Sequence, residues 1–411
     1  MRLPSSTRSF GLLIVLFVSS LVPLAWCGAK TRVLHSFGAA GDGSVPYGPP
    51  LVDSLGNIYG VTINGGTGQC SDYGCGTVFQ LAPQGGGKWE EKTLFSFVVD
   101  DGSPWGPLIL EGNGNLYGTT LGPAINSGVY ELSPGLGGWS YSVVYSNGAG
   151  PGVVMDQAGN LYGNIGPGNY FGIGAIGELS PGTDGWTYSD LANFNPTVGY
   201  SPPAPPVFDT QGNLYGTTRD GGITQPKCWT AFGCGVIFKM TPTGDGTWTY
   251  DILHHFASYA TDGQTPTSGL LMDNSGVLYG ATGYGGAYNQ GTIFKFALTN
   301  GHWGKSVLYD FPNCAAGCYP GGSMAFDKAG NLYGIADGGI VGQGCGGYTC
   351  GVVFRLEPLP NGCWKYNVIH RFIGSDGAFP LGVVVDDRGH LFGTTQAGGT
   401  YNSGVAFEIS Q

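Results

Sequence analysis

A pentapeptide of the form Gly-Asn-x-Tyr-Gly, or a close variant of it, returns seven times along the chain, starting at Gly56, Gly114, Gly159, Gly212, Gly276, Gly330 and Gly389. The copies lie 45 to 64 residues apart, the size of a four-stranded propeller blade and too long for most helical repeats. Each copy keeps one order of short segments, seen first at 49–53, 57–62, 76–81 and 89–97. All four are rich in Val, Ile, Leu, Thr, Tyr and Phe, and Gly, Asp, Asn and Pro clusters separate them, so they read as strands. Segments such as Val78-Phe79-Gln80-Leu81 and Val353-Phe354-Arg355-Leu356 are apolar on both faces, as a sheet sandwiched between two others requires.

The ends of the chain sharpen this into a topology. A lone fourth-strand segment at 33–37 matches 93–97, and the chain finishes on a third strand at 405–409. The expected fold is therefore all-β: a seven-bladed β-propeller of four-stranded antiparallel blades, with the N-terminal outer strand pairing with the C-terminal blade so that no blade edge is left open. Residues 30–411 form that single domain and residues 1–29 a signal peptide. Arg2 and Arg8 flank its basic end, an apolar run spans 10–24, and Ala25-Trp26-Cys27 offers a small-x-small exit. That run is short for a membrane span, and bulky Trp26 stands against a lipoprotein cleavage before Cys27.

Charge narrows the function classes. The chain has 16 Lys and Arg against 27 Asp and Glu. Losing Arg2 and Arg8 makes the mature chain more acidic still, which repels phosphate backbones and anionic membranes, and no basic block interrupts this. Neither a nucleic-acid partner nor a membrane span is expected after signal removal. The chain is expected to be a monomer, periplasmic or secreted.

Much of the remaining chemistry reads as architecture. Asp53, Asp156, Asp209, Asp273, Asp327 and Asp386, with Glu111 in the second copy, precede the Gly-Asn turn at a fixed interval. They sit one per blade and so are expected as turn caps rather than calcium ligands. Trp89, Trp139, Trp186, Trp248, Trp303 and Trp364 open six fourth strands and are expected to pack. Asp-Gly at 42–43, 101–102, 262–263 and 376–377 is read as turn chemistry. His35, His254 and His370 take equivalent outer-strand positions on different blades, so no His-based metal centre and no Ser-His-Asp arrangement is expected. The sequence assigns no catalytic residue, no metal ligand and no cofactor.

Function is expected on one face. Loops joining second to third strands, and those joining blades, share a face and vary from blade to blade, whereas the opposite turns are near copies, as at 134–138 and 181–185. Cysteines collect on the variable face, and local disulfides Cys70 with Cys75, Cys228 with Cys234, Cys314 with Cys318 and Cys345 with Cys350 are the economical reading in an exported chain. Each closes a small ring worth roughly 2 kcal/mol. Cys363 is left over and expected to be buried beside Trp364. Candidate ligand-binding residues on this face are Trp105, Trp229, Phe232, Tyr73, Tyr284, Tyr288, Tyr348 and Tyr401, with Arg219 and Asp220 nearby. Aromatic side chains in polar loops stack on sugars or fill protein interfaces.

The string Gly76-Thr77-Val78-Phe79-Gln80-Leu81, a Gly-rich turn, Trp89, Leu94-Phe95-Ser96-Phe97, Asp101-Gly102, then Gly114 through Thr120 resembles the GloVer (Gloeobacter and Verrucomicrobia) tandem repeat of exported bacterial proteins. The likeness covers residues 31–411 and weakens in the third copy, where Gly163-Asn164-Ile165 replaces Gly-Thr-Thr. The Asp-x-x-Gly-Asn turn also resembles that of NHL propellers. The resemblance implies export and often a C-terminal surface anchor, but no reaction or ligand. Because the sequence stops at Gln411 within the last repeat, release is expected rather than surface attachment. Two readings remain open: a non-catalytic binding propeller meeting a glycan or an extracellular protein, or a polysaccharide lyase or glycoside hydrolase with its active site at the channel mouth.

Overall fold

A computed structural model describes residues 29–68, 70, 75–122, 125–167, 174–224, 228, 231–257, 261–341 and 345–410. The proposed signal segment lies outside the described residues, apart from its last residue, Ala29. The fold is all-β, with one short 3-10 turn at Val99–Asp101. Strands pair antiparallel into four-stranded units of propeller type. In the first unit, Ile58–Gly65 pairs with Thr77–Pro83, which pairs with Trp89–Ser96. One eight-stranded sheet consists of two such units joined by a single parallel contact, Ser323 with Gly382.

The N-terminal strand Lys30–Ser36 pairs antiparallel with the C-terminal strand Val405–Ser410, Val33 lying opposite Phe407. It skips Leu34, as the first unit skips Leu94 and the sixth skips Ile369. An extra apolar residue in the outer strand thus recurs as a β-bulge, which adds local twist to a sheet edge.

The innermost strand departs from the expected continuous segment at 49–53. It is broken into Gly43–Pro46 and Leu51–Val52. The break has a steric cause. Inner strands of neighbouring units nearly touch, and a β-carbon at Gly48 would lie 2.9 Å from the carbonyl carbon of Gly106. No side chain fits there, so the strand crosses the narrow end of the wedge as Gly and Pro.

Neighbouring units are held by one repeated contact. The Gly that opens a third strand lies under the Pro ring of the next unit's inner strand: a β-carbon at Gly235 or Gly291 would lie 2.6 Å from Cδ of Pro266 or Pro320. Gly351 meets Pro380 in the same way. The residue before that Pro takes a left-handed backbone, with φ 57° at Val45, Thr265 and Phe379 and 49° at Tyr319, a conformation worth about 1–2 kcal/mol of strain for a residue with a β-carbon. Its N–H is thereby aimed across the junction. Thr265 donates to Cys234 O, Tyr319 to Gln290 O and Phe379 to Cys350 O, at 2.8, 2.8 and 2.9 Å.

Apolar clusters fill the space between units rather than within them, since each sheet buries both faces. Phe97 sets its ring against Tyr130 of the next unit at 5.2 Å, and Phe95 stacks on Tyr141 at 4.8 Å. Cys363, expected to be buried, is exposed. It lies on the tight turn where Leu359 N–H donates to its carbonyl, and that turn projects into solvent.

Substituting Gly276, whose added β-carbon meets nothing within 4 Å although φ is 81°, isolates the backbone term, about 1–2 kcal/mol. Gly351→Ala adds the collision with Pro380 and is expected to lose a further 1–3 kcal/mol, roughly. Urea unfolding midpoints of the two variants measure the difference, and equal losses would refute the role given to the Gly–Pro contact.

Candidate functional site

The repeated carboxylates belong to the turns. Asp53 Oδ1 accepts from the N–H groups of Leu55 and Asn57 at 2.9 and 2.8 Å, and its Oδ2 accepts from Asn57 Nδ2 and the Tyr59 hydroxyl at 2.8 and 3.2 Å. The same pattern returns at Asp156, Asp209 and Asp327. Burial draws the Asp209, Asp273 and Asp327 carboxyls upward, but the converging side-chain and backbone donors outweigh it and hold them below the ordinary value. The repeated Trp residues pack as expected. Trp186, Trp248, Trp303 and Trp364 meet Tyr117, Tyr162, Tyr215 and Tyr279 of the preceding unit, with centroids 5.8–6.3 Å apart.

Sequence reasoning missed a set of His–Asp pairs. His35 Nε2 lies 2.9 Å from Asp42, His254 Nε2 3.2 Å from Asp262 and His370 Nε2 3.0 Å from Asp376. Lys305 joins Asp262 at 2.7 Å. The outer-strand His and the following Asp-Gly had been read separately. Their joint occurrence, six to eight residues apart in three copies, was the signal that links them. One pair has a third member, since Thr31 Oγ1 sits 2.8 Å from His370 Nδ1. Pairing of the N-terminal strand with the C-terminal third strand creates this group, which ties the N-terminal strand to the sixth unit.

Four disulfides form on the variable loops: Cys70–Cys75, Cys228–Cys234, Cys314–Cys318 and Cys345–Cys350. Three of them anchor the residue just before a junction glycine, Cys75 before Gly76, Cys234 before Gly235 and Cys350 before Gly351. The carbonyls of Cys234 and Cys350 are the acceptors of the next unit's left-handed residue. A variable loop is thereby fastened at the point where it meets its neighbour.

The candidate aromatics separate into contacts and exposed groups. Trp105 directly follows the short inner strand Ser103–Pro104 and stacks on Tyr47 of the preceding unit, centroids 3.9 Å apart. Phe232 meets Tyr200 at 5.7 Å, beside buried Asp220, and Tyr284 meets Tyr319 at 5.2 Å. Arg219 is exposed, its backbone N–H bonded to Ser201 O. Tyr288, Tyr401 and Tyr348 stand exposed, the last at 72 %. Tyr73 and Trp229 lie outside the described residues. Sequence reasoning overlooked the aliphatic members of this face: Val99, Ile125, Ile223, Ile340, Val341 and Ile373 are exposed too, Ile125 at 75 % and Val341 at 66 %. Their composition gave no warning, because an Ile in a strand-rich chain reads as core.

Residues from the inner segment of every repeat copy line a cavity of about 360 Å³. Its wall is mostly apolar and proline-rich, including Pro107, Pro151, Pro205, Leu270, Met324 and Leu381, with Tyr47 among the lining residues. Burial pushes the Tyr47 phenol upward. The lining holds no carboxylate, imidazole, ammonium or guanidinium group. Among the described residues no group of three or more His, Cys, Asp or Glu side chains is arranged to hold a metal ion, and no helix is long and apolar enough to cross a membrane.

Because the turn carboxylates are held below their unfolded value of about 3.9, the stability they supply is complete above that pH and is lost as pH falls through the lower folded values. Thermal melts from pH 7 to 2 are expected to hold level to about pH 4 and then decline. Asp327→Ala should show a shallower acid limb, and an identical limb would remove the turn carboxylate from the cause.

A family model described as the Gloeobacter/Verrucomicrobia repeat matches residues 122–346 and, overlapping these, 229–411. No curated protein matches the chain. Among solved structures, a fungal alcohol oxidase of the AA5 family in complex with copper is 12% identical, with a TM-score of 0.58 over 93% of this chain and 76% of that one. An ancestral GH74 enzyme is 11% identical, with a TM-score of 0.55 over 93% of this chain and 51% of that one, so this chain spans about half its length. At such identities the likeness concerns the fold.

Proposed function

The chain belongs to the Gloeobacter/Verrucomicrobia repeat family, and we propose that its units close into a seven-bladed ring that is exported and binds a partner through its loop face without catalysis. Support for closure comes from the contacts of the two chain ends, which repeat those within and between the internal units. Phe37 N–H donates to Gly404 O as Phe97 does to Gly76 O and Phe372 to Gly351 O. A β-carbon at Gly404 would lie 2.5 Å from Cδ of Pro46, and Val45 N–H donates to Ser403 O at 2.8 Å. Trp89 meets Phe392 at 6.1 Å. Export is supported by the leader-like N-terminus and four disulfides, which persist in oxidising compartments.

The observation that carries the binding reading is the row of exposed apolar side chains on the variable face, Val99, Ile125, Phe232, Tyr288, Val341, Tyr348 and Tyr401 among them. Phe232 and Tyr348 lie inside disulfide-closed rings, which leaves their loops less ordering entropy to lose and favours association. Aliphatic Ile and Val beside Tyr and Phe suit a protein surface better than a sugar. A glycan is the second reading, favoured by the Tyr47–Trp105 stack. Neither an acid nor a base lines the cavity shared by all copies, which argues against a lyase or hydrolase centred there.

Immobilised protein is expected to retain a partner from envelope extract, and Val341→Asp with Tyr348→Ala should reduce retention at least tenfold without altering the melting temperature. Retention unchanged in that double variant, or no partner retained by the native chain or found on a glycan array, would sink the reading. Deleting residues 30–36 tests closure separately. The melting temperature should fall, and an unchanged profile would contradict a closed ring.

A further inference from the structure

Two hollows of similar volume differ in their chemistry. A cleft of about 340 Å³ on the turn face, where the two chain ends meet, mixes acids and bases beside Trp89: Asp53, Asp386, Asp387 and Glu408 with Arg32, Lys88 and Arg388. Some of these are already paired, Arg32 with Glu408 and Asp387 with Lys328, and the mixture singles out no ligand. The cavity of about 360 Å³ lined by every copy is the opposite case. None of its lining residues carries a charge. Gly and Pro of the inner segments alternate there with Val154, Val207, Leu271, Ile335 and Leu381, and the polar side chains in the lining are those of Tyr47, Thr267, Ser268 and Ser323.

The hydroxyls of that lining are engaged within the protein. Thr267 Oγ1 donates to Pro320 O and Ser323 Oγ to Val383 O, each across a junction, and Ser268 Oγ accepts the Ala281 N–H at 2.8 Å. Carbonyls of the inner segments are taken in the same manner: Thr394 donates to Gly48 O and Thr217 to Ser268 O, both at 2.9 Å. Threonines of the second strands thus occupy backbone acceptors that a sugar or a peptide would use. Against such a wall a charge, or a hydroxyl without a partner, loses hydration that nothing replaces, whereas an apolar body gains by leaving water. Half-buried Pro107, Pro151, Pro205 and Leu381 leave the cavity within reach of solvent. Proline walls have their φ fixed in advance, so little order remains to be lost on binding. The volume lies at the low end of small-molecule sites.

We propose that this cavity binds an uncharged, predominantly apolar small molecule, packed against the proline and leucine side chains of the inner segments. The inference rests on the ring closing, since the first and last copies both line the cavity, and it is independent of the partner proposed for the loop face. Fluorescence titration with phenylnaphthylamine, uncharged at neutral pH, tests it beside anilinonaphthalene sulfonate, an anion of nearly the same framework, with maltotriose as competitor. The native protein is expected to saturate with the amine, to bind the sulfonate at least tenfold more weakly and to keep the amine in excess maltotriose. Leu381→Asp puts a carboxylate into the wall and Val154→Trp narrows the space; each variant that melts as a folded protein should bind the amine at least tenfold more weakly. The Val341→Asp, Tyr348→Ala variant reduces the apolar surface of the loop face and should bind the amine as the native protein does. The proposal is overturned by no saturable binding, by equal binding of the sulfonate, by displacement with maltotriose, by native affinity in a folded Leu381→Asp or Val154→Trp variant, or by loss in the loop-face variant. Deleting residues 30–36 separates the two readings: a lowered melting temperature with no binding of the amine to the native chain overturns the cavity site alone, and an unchanged melt overturns closure.

Discussion

Four of the junctions between units rest on the contact between a glycine of one unit and a proline of the next. A sheet buried on both faces has no solvent side against which to adjust, so the distance between sheets is fixed by the smallest groups between them. With hydrogen alone at Gly235, Gly291, Gly351 and Gly404, the Pro ring sits over the backbone. The residue before that Pro is then held at positive φ, and its N–H reaches a carbonyl across the junction. Backbone strain at these positions is offset by a hydrogen bond and a packed ring, repeated from junction to junction. The large aromatics farther out, Phe97 on Tyr130 and Phe95 on Tyr141, fill the widening part of the same wedge.

Two faces result, with different freedoms. Turns between first and second strands are locked by an Asp that satisfies several donors at once, and such a turn tolerates little change. Loops on the other face have to meet the junction only at one residue. Beyond it they vary in length, carry disulfides and display apolar side chains. The cleft at the last-to-first junction is the exception on the locked face. There the chain ends bring Arg32 from the N-terminal strand beside Glu408 from the C-terminal one, and a position that exists once per molecule is free of the pattern that the other copies share.

Much of the architecture was legible because repetition averages out local ambiguity. A single apolar run of six residues fits strand or helix, but the same run at the same place in seven copies does not. The turn role of Asp53 and its counterparts and the packing role of the repeated Trp residues followed from their one-per-copy occurrence, and the cysteine pairs from their closeness in sequence. The site was less legible. Trp105 read as a free loop aromatic, and its stacking on Tyr47 of the preceding unit is a contact that one repeat does not contain. Cys363 read as buried because it adjoins Trp364, yet a strand's alternation and the tight turn before it place it in solvent. Nothing in sequence marks an Ile on a loop as exposed.

By itself the sequence determined the repeat, its strand order, the matching of the two chain ends and the face on which variation collects, since all of these are properties of spacing and of residue type within one copy. Only the tertiary structure decided what lies between copies: the pairing of His35, His254 and His370 with Asp42, Asp262 and Asp376, the meeting of Thr31 with His370, the apolar cavity lined by all copies and the charged cleft beside Trp89. Those features join residues that are distant along the chain or belong to different units, and their contacts are set by the wedge angle and the bulged outer strands. No single repeat contains that information.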